Sequence, residues 1–309
     1  MIEIALTSLA ALLIGVGSEH RWGPGAVALS RRLLDLMAYV AMPLVIFFTV
    51  SHLKLTSAIG AGLAFGWTER IVVIALAWVI GARVLKLAPA ATGAVMVAVG
   101  LANTGYLGIP LIALLLGNDQ IGLAVAYDTT VTAPIALIGG FAIGAAFGTK
   151  AGEGTRERLK SFIFRNPALF ALIAALIVPN WLSPNWARDI ATVTAVAIAP
   201  IGFFAVGVNL MLEHDQEGTR IFPPPLSKPV VTALLLRLLI APGVMLGLST
   251  VVIKVPTAFL IQAGMASGIT ALAIGHIFGL DLKIIVGAIA WSTGIVIVAA
   301  SVFALAAGL

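Results

Sequence analysis

The chain has 309 residues, 61% of them hydrophobic and 10% charged, where a soluble domain averages about 25% charged. A mean hydropathy of +1.11 and the lack of any long polar stretch exclude a soluble enzyme, a nucleic-acid binder and a single-span receptor with a folded ectodomain. The net charge of +5 fits the Lys and Arg that cytoplasmic loops of membrane proteins collect, and the absence of cysteine removes disulfides and thiolate metal sites.

A transmembrane helix needs about 20 apolar residues. Apolar runs punctuated by charge, Pro and Gly give ten candidate spans, near 3–18, 34–53, 58–82, 90–117, 120–147, 167–182, 187–212, 229–252, 257–279 and 283–307. The start, Met1-Ile2-Glu3-Ile4, lacks the basic region of a signal peptide and reads as the beginning of the first span. The first and sixth spans look short, which favours tilt or local thinning of the bilayer. The third is long and carries Glu69 and Arg70 in mid-run, so two shorter segments are the alternative there. The sixth opens on Asn166-Pro167, a cap followed by proline at the first helical position.

Thirteen of the eighteen Lys and Arg fall in the loops after spans 1, 3, 5, 7 and 9, and three in the loops after the even spans. That asymmetry orients a multi-pass protein of the cell (inner) membrane with both termini outside and the basic loop 149–165 in the cytoplasm. The loop divides the chain into a first repeat, 1–148, and a second, 166–309. Five spans per half means that the halves cross in opposite senses, the inverted repeat common among secondary transporters. Ala41–Leu53 resembles Ile198–Leu210, with Pro43 on Pro200, Phe47 on Phe204 and Leu53 on Leu210. Coincidence between two apolar strings is the competing reading.

Spans 4 and 9 share an interruption. In the fourth, Asn103-Thr104-Gly105 is followed by Gly108-Ile109-Pro110. Proline removes a backbone donor and disfavours helix before it, and a break facing lipid would strand polar backbone groups. The break therefore faces protein or a water-filled cavity; a kinked helix without function is the bland alternative. In the ninth, Gln262, Gly264, Ser267, Gly268 and Thr270 cluster before the middle without a proline. There a soft helix or simple packing through Gly264 and Gly268 are both open. Broken helices in corresponding places point to a central site, and their free N-termini favour an anion.

Intramembrane ionisable groups are costly and mark function by default. Asp128 lies about nine residues into the fifth span, about 14 Å deep. Arg237 lies equally deep in the eighth, so the two could pair near the midplane. A role for Asp128 in proton coupling or substrate charge, and a shallower solvated position, are the other readings. Glu69 and Arg70 stand about 100° apart on a helix and are expected to seek other partners. His276 lies late in its span, near the interface. Gly140, Gly144 and Gly148 on the fifth span, and Gly62 with Gly66 on the third, read as tight packing surfaces. No metal-ligand spacing, phosphate loop or nucleophile–base constellation is present, so an enzyme, a metal and a cofactor are not expected.

LLDLMAYVAMPLVIF, NTGYLGIPL, FIFRNPALFALIAAL, IAPIGFFAVGVNL, LRLLIAPGVM and QAGMASGITALAIGHIFGLD, in this order and spacing, resemble the auxin efflux carrier family over nearly the whole chain. The family's ninth span usually carries prolines, where this chain has Ala266 and Ala271. The resemblance implies an all-α integral membrane fold of ten transmembrane helices, a 5+5 inverted repeat with broken crossover helices 4 and 9. It also implies a scaffold of spans 1, 2, 6 and 7, a mobile unit of spans 3–5 and 8–10, elevator-like motion and a homodimer in lipid.

The expected function is a carrier of small organic anions, held by Asn103, Thr104, Gly105, Gly108, Pro110, Ser267, Gly268 and Thr270. Asp128, Glu69, Arg237 and Gln262 form the expected coupling or charge network, with H+ or Na+ as the coupled ion. A sodium-coupled symporter of the bile-acid transporter type, a channel and a membrane sensor are the alternatives.

Overall fold

The computed structural model describes all residues except 1, 52–55, 150–166, 180–181, 198, 218–223, 225 and 308–309. Leu53, Lys54, Asn166, Arg220 and the basic loop from Lys150 to Arg165 lie outside the described residues. Those described are overwhelmingly helical, and the only β-pairing among them is a single two-residue bridge.

The first helices are α1, Ile2–Trp22, α2, Pro24–Leu36, and α3, Met42–Val50, the last two joined by a π turn over Met37–Ala41. The first span is thus longer than expected, and Arg31 and Arg32 sit on a helix rather than in a loop. α4, Ser57–Val79, starts where the Thr56 hydroxyl accepts the Ile59 N–H at 3.3 Å, and it runs through a π turn to Val84. The long third segment is therefore one helix; side-chain burial of Glu69 and Arg70 keeps their charges from interrupting it.

α5, Pro89–Gly100, ends in mid-span. After three non-helical residues the chain resumes as a π turn, Thr104–Gly108, leading into α6, Ile109–Leu116. α7, Ile121–Tyr127, passes through π turns at Asp128–Thr132 and Ile135–Gly140 into α8, Phe141–Phe147. α9, Pro167–Ile177, is short, and α10, Asn185–Ala197, leads on to α11, Ala199–Glu217. α12, Lys228–Leu235, continues through a π turn at Leu236–Ile240 into α13, Ala241–Val251. α14, Thr257–Ala263, stops and α15, Thr270–Phe278, restarts after six residues. Gly279 closes α15 with φ +69°, a left-handed cap for which glycine is the least strained residue. The Asp281 carboxylate accepts the Lys283 N–H at 3.1 Å at the start of α16, Leu282–Ala307.

Among the described residues, the helices long and apolar enough to cross a membrane are Ser57–Val84, Asn185–Ala205, Lys228–Val251 and Leu282–Ala306. Ile71, Ile190, Leu239 and Val302 point outward from these helices, as a hydrocarbon solvent requires.

The largest buried core is built by residues from Ile59 to Ile143 and from Val230 to Ile289. It takes nothing from α1–α3 or α9–α11, which pack as α1 along α11 and α9 along α3. The glycine ladders serve this core. Gly62 and Gly66 lie against the rings of Phe259 and Tyr127, themselves 5.5 Å apart, and Gly140 and Gly144 lie against Ile274 and Phe278.

Candidate transport site

Two helices break at the same place, and the breaks meet. Ala102 pairs with Ser267 in an antiparallel bridge: the Asn103 N–H donates to the Ala266 carbonyl at 2.7 Å, and the Gly268 N–H to the Leu101 carbonyl at 2.7 Å. Each break thus supplies partners for backbone groups that the other leaves open, which is how unwound chain becomes tolerable away from water. Gly268 is required by closeness: a Cβ there would stand 2.9 Å from the Ala102 carbonyl oxygen. The segment 264–269 is therefore non-helical although it holds no proline.

The same close approach selects Gly108, where a Cβ would overlap the Gln262 Oε1. Gln262 is fully buried, and its Nε2 donates to the Thr104 carbonyl at 3.2 Å and the Ala124 carbonyl at 3.0 Å. Its Oε1 has no hydrogen-bond partner. Pro110 does not mark the break itself. It lies in the first turn of α6, and the missing proline N–H is absorbed by the π turn before it, where Gly108 N–H donates to the Asn103 carbonyl at 3.0 Å.

Asn103 and Thr104, read from the sequence as substrate donors, have partners within the protein. The Asn103 side-chain oxygen caps the restarted helix, accepting the Leu107 N–H at 3.2 Å. The Thr104 hydroxyl donates to Asp128 at 2.5 Å. Both carboxylate oxygens of Asp128 also lie against Gly105, within 3.4 Å of where its Cβ would be. Asp128 is half-buried.

On the other break, the Ser267 N–H donates to Ser292 Oγ at 3.0 Å, while the Ser267 hydroxyl is buried and without a partner. Thr270 opens α15 and is exposed.

Arg237 does not pair with Asp128. Its guanidinium donates through Nε to the Met265 carbonyl at 2.9 Å, through Nη1 to Val99 at 3.0 Å and through Nη2 to Ala263. It also approaches Glu69 at 3.5 Å. Val99 and Ala263 lie in the last turns of α5 and α14, where helix ends carry negative partial charge and unpaired carbonyls. One fully buried cation thus satisfies the ends of both broken helices, and the π turn at Leu236–Ile240 carries it.

Glu69 and Arg70 do bond each other, at 3.4 Å, against the expectation from their angular separation. Both side chains are long enough to swing together, and burial leaves them no water to prefer. The Tyr127 hydroxyl, Arg70 Nε and Nη2, and Glu69 Oε2 remain buried without hydrogen-bond partners. His276 lies exposed in the last turn of α15.

The structure therefore gathers Asn103, Thr104, Gly105, Gly108, Asp128 and Gln262 on one side of the bridge and Ser267, Gly268 and Thr270 on the other. Glu69 and Arg237 lie behind it, on the side of the helix C-termini. Ser292, the hydroxyl that receives the unwound Ser267 N–H, was not singled out by sequence. A lone serine in an apolar helix gives no signal until its partner is known. No group of three or more His, Cys, Asp or Glu that could hold a metal occurs among the described residues.

The membrane transport protein family matches residues 9–149. An uncharacterised transporter of the archaeon Methanocaldococcus jannaschii is 23% identical over 303 residues, covering 93% of this chain and 92% of its own length.

Proposed function

We propose that the chain is a membrane transporter of the auxin efflux carrier type that carries small organic anions, with the substrate held where the two breaks cross. The observation that carries this reading is the bridge between Ala102 and Ser267, which sets the restarts at Thr104 and Thr270 on either side of one point. Half-helix N-termini expose unpaired N–H groups toward such a point and favour negative charge.

The movement we propose is elevator-like, with the helices of the large core travelling as one body. In support, that core excludes α1–α3 and α9–α11. The pairings of α1 with α11 and α9 with α3 exchange when 1–148 and 166–309 are exchanged, as an inverted repeat requires. The scaffold so defined is the surface for a homodimer, and both termini are placed outside, with 149–165 in the cytoplasm.

Coupling to sodium has a specific observation against it. In broken-helix transporters, unwound carbonyls and half-helix C-termini hold the sodium ion. Here the corresponding carbonyls of Val99, Ala263 and Met265 accept from Arg237. For a coupled proton, Glu69 is already held by two guanidiniums, which leaves Asp128 as the carboxylate facing the crossing.

The test is thermal stabilisation of the detergent-solubilised protein by mono- and dicarboxylates, with and without sodium and at two pH values. A ligand that binds only the folded state raises stability by RT ln(1 + [L]/Kd). A shift with one class of acid, independent of sodium and lost in Ser267→Ala, is the expected result. Ser267 is the better probe than Asn103, since its hydroxyl has no partner in the protein to lose. No shift with any acid overturns the reading; a sodium-dependent shift replaces it with the symporter.

A further inference from the structure

The two halves of the crossing are chemically unequal, and the inequality bears on what the substrate carries. Around the first restart, the anion position is already filled by the protein. Asp128 takes the Thr104 hydroxyl and lies against Gly105, and the Asn103 side chain takes the Leu107 N–H. The groups left on this side are acceptors: the second carboxylate oxygen of Asp128, and the Gln262 Oε1, fully buried, without a partner and turned onto Gly108. No cation stands within ion-pair distance of Asp128 among the described residues. Arg70 acts on it through the field and the Tyr106 phenol lies close by, but Arg70 is engaged with Glu69. Around the second restart the position is open. Ser267 offers a buried hydroxyl without a partner, beside the N-terminus of α15.

We propose that the substrate is a zwitterion of the amino-acid type, its carboxylate seated at the second break on Ser267 and the start of α15, its ammonium at the first break against Asp128 and the Gln262 Oε1. This rests on the carrier reading above and narrows it. A second carboxylate placed at the first break would face Asp128, like charge against like, whereas an ammonium supplies the donors that both acceptors lack. A zwitterion adds no net charge on loading: its ammonium offsets Asp128, and its carboxylate is left to the partial positive charge at the start of α15.

The experiment compares matched pairs that differ only in the amine: alanine with propionate, aspartate with succinate, and leucine with 4-methylpentanoate. Each is measured by thermal shift on the detergent-solubilised protein and by uptake into proteoliposomes. The amino acids are expected to bind at least about tenfold more tightly than their partners, as expected where a buried charged group would be left unpaired. Asp128→Asn, which keeps the Thr104 hydrogen bond, should bring the members of each pair level. If the amine-free acids bind as well as the amino acids, the proposal is overturned while the organic-anion reading stands, and a proton on Asp128 takes the place of the ammonium. If the amino acids bind better but Asp128→Asn leaves the difference unchanged, the amine is held elsewhere and the proposal also fails. If neither set binds, the carrier reading falls with it. The wild-type comparison decides the matter even if the variant does not fold.

Discussion

Arg237 shows how much a single side chain can hold at a crossing of two broken helices. Its five donors in a rigid fork match three carbonyls on two helices at once, which the point charge of a lysine does not. Replacing it with leucine would leave Glu69 with one guanidinium and the carbonyls of Val99, Ala263 and Met265 without their donor. The expected cost is about 3–5 kcal/mol, read as a fall in melting temperature; Arg237→Lys should recover part of it. Wild-type melting of the leucine variant would show that the guanidinium does not join the breaks. A second prediction concerns Gly108. The Gln262 amide is tied by two hydrogen bonds and has little room to retreat. Gly108→Ala should therefore destabilise by about 1–3 kcal/mol, and Gln262→Ala in the same chain should relieve most of that cost. Additive losses in the double variant would place the clash elsewhere. The sequence picked out Arg237, Asp128 and Glu69 as costly charges in a membrane, but the pair it offered, Asp128 with Arg237, does not form, and Glu69 meets Arg237 instead. Depth along a helix can be counted from the chain, while rotation about the axis cannot. The π turns at Asp128–Thr132 and Leu236–Ile240 shift that rotation further.

At the scale of an element, the two breaks differ in what made them legible. In the fourth span, Asn103-Thr104-Gly105 and Pro110 announce an interruption. In the ninth, glycines and a serine leave both a packed helix and an unwound one open. The structure unwinds it because partners for its backbone come from distant elements: Arg237 for the carbonyls, Ser292 for an N–H, and Leu101 and Asn103 across the bridge. None of these is a local property of the segment. The two glycines that would have formed a packing pair now separate. A Cβ on Gly264 would meet its nearest atom at 3.5 Å, ordinary contact, whereas on Gly268 it would meet the Ala102 carbonyl at 2.9 Å. Gly268→Ala is therefore expected to lower the melting temperature and abolish ligand-induced stabilisation, and Gly264→Ala to change neither substantially. Equal effects at the two positions would favour simple helix packing. The second span taught the opposite lesson. Its helix begins at Pro24, ten residues before the apolar run at 34–53, because a helix can continue through the charged residues of a membrane surface.

For the whole molecule, hydropathy carried the all-helical membrane class, and the order of motifs carried the likeness to membrane transporters. What the sequence could not supply was which helices touch. The crossing of α1 with α11 is set by glycines in no motif of the usual kind. A Cβ on Gly15 would overlap the Phe204 carbonyl, and one on Gly207 would overlap the Leu12 carbonyl. The two backbones are in contact, and backbone cannot move aside as a side chain can. Either glycine changed to alanine should force the helices apart and lower the melting temperature, while Gly17→Ala, with nothing within 4 Å of its Cβ position, serves as the control. Because both substitutions relieve themselves by the same separation, the double variant should lose less than the sum of the single losses, the non-additivity expected of sites that share one contact. The crossing lies outside the large core, so these variants should keep the ligand-induced shift that Gly268→Ala removes. If Gly15→Ala abolishes that shift too, α1 and α11 are coupled to the site, and the division into a fixed scaffold and a travelling core does not hold.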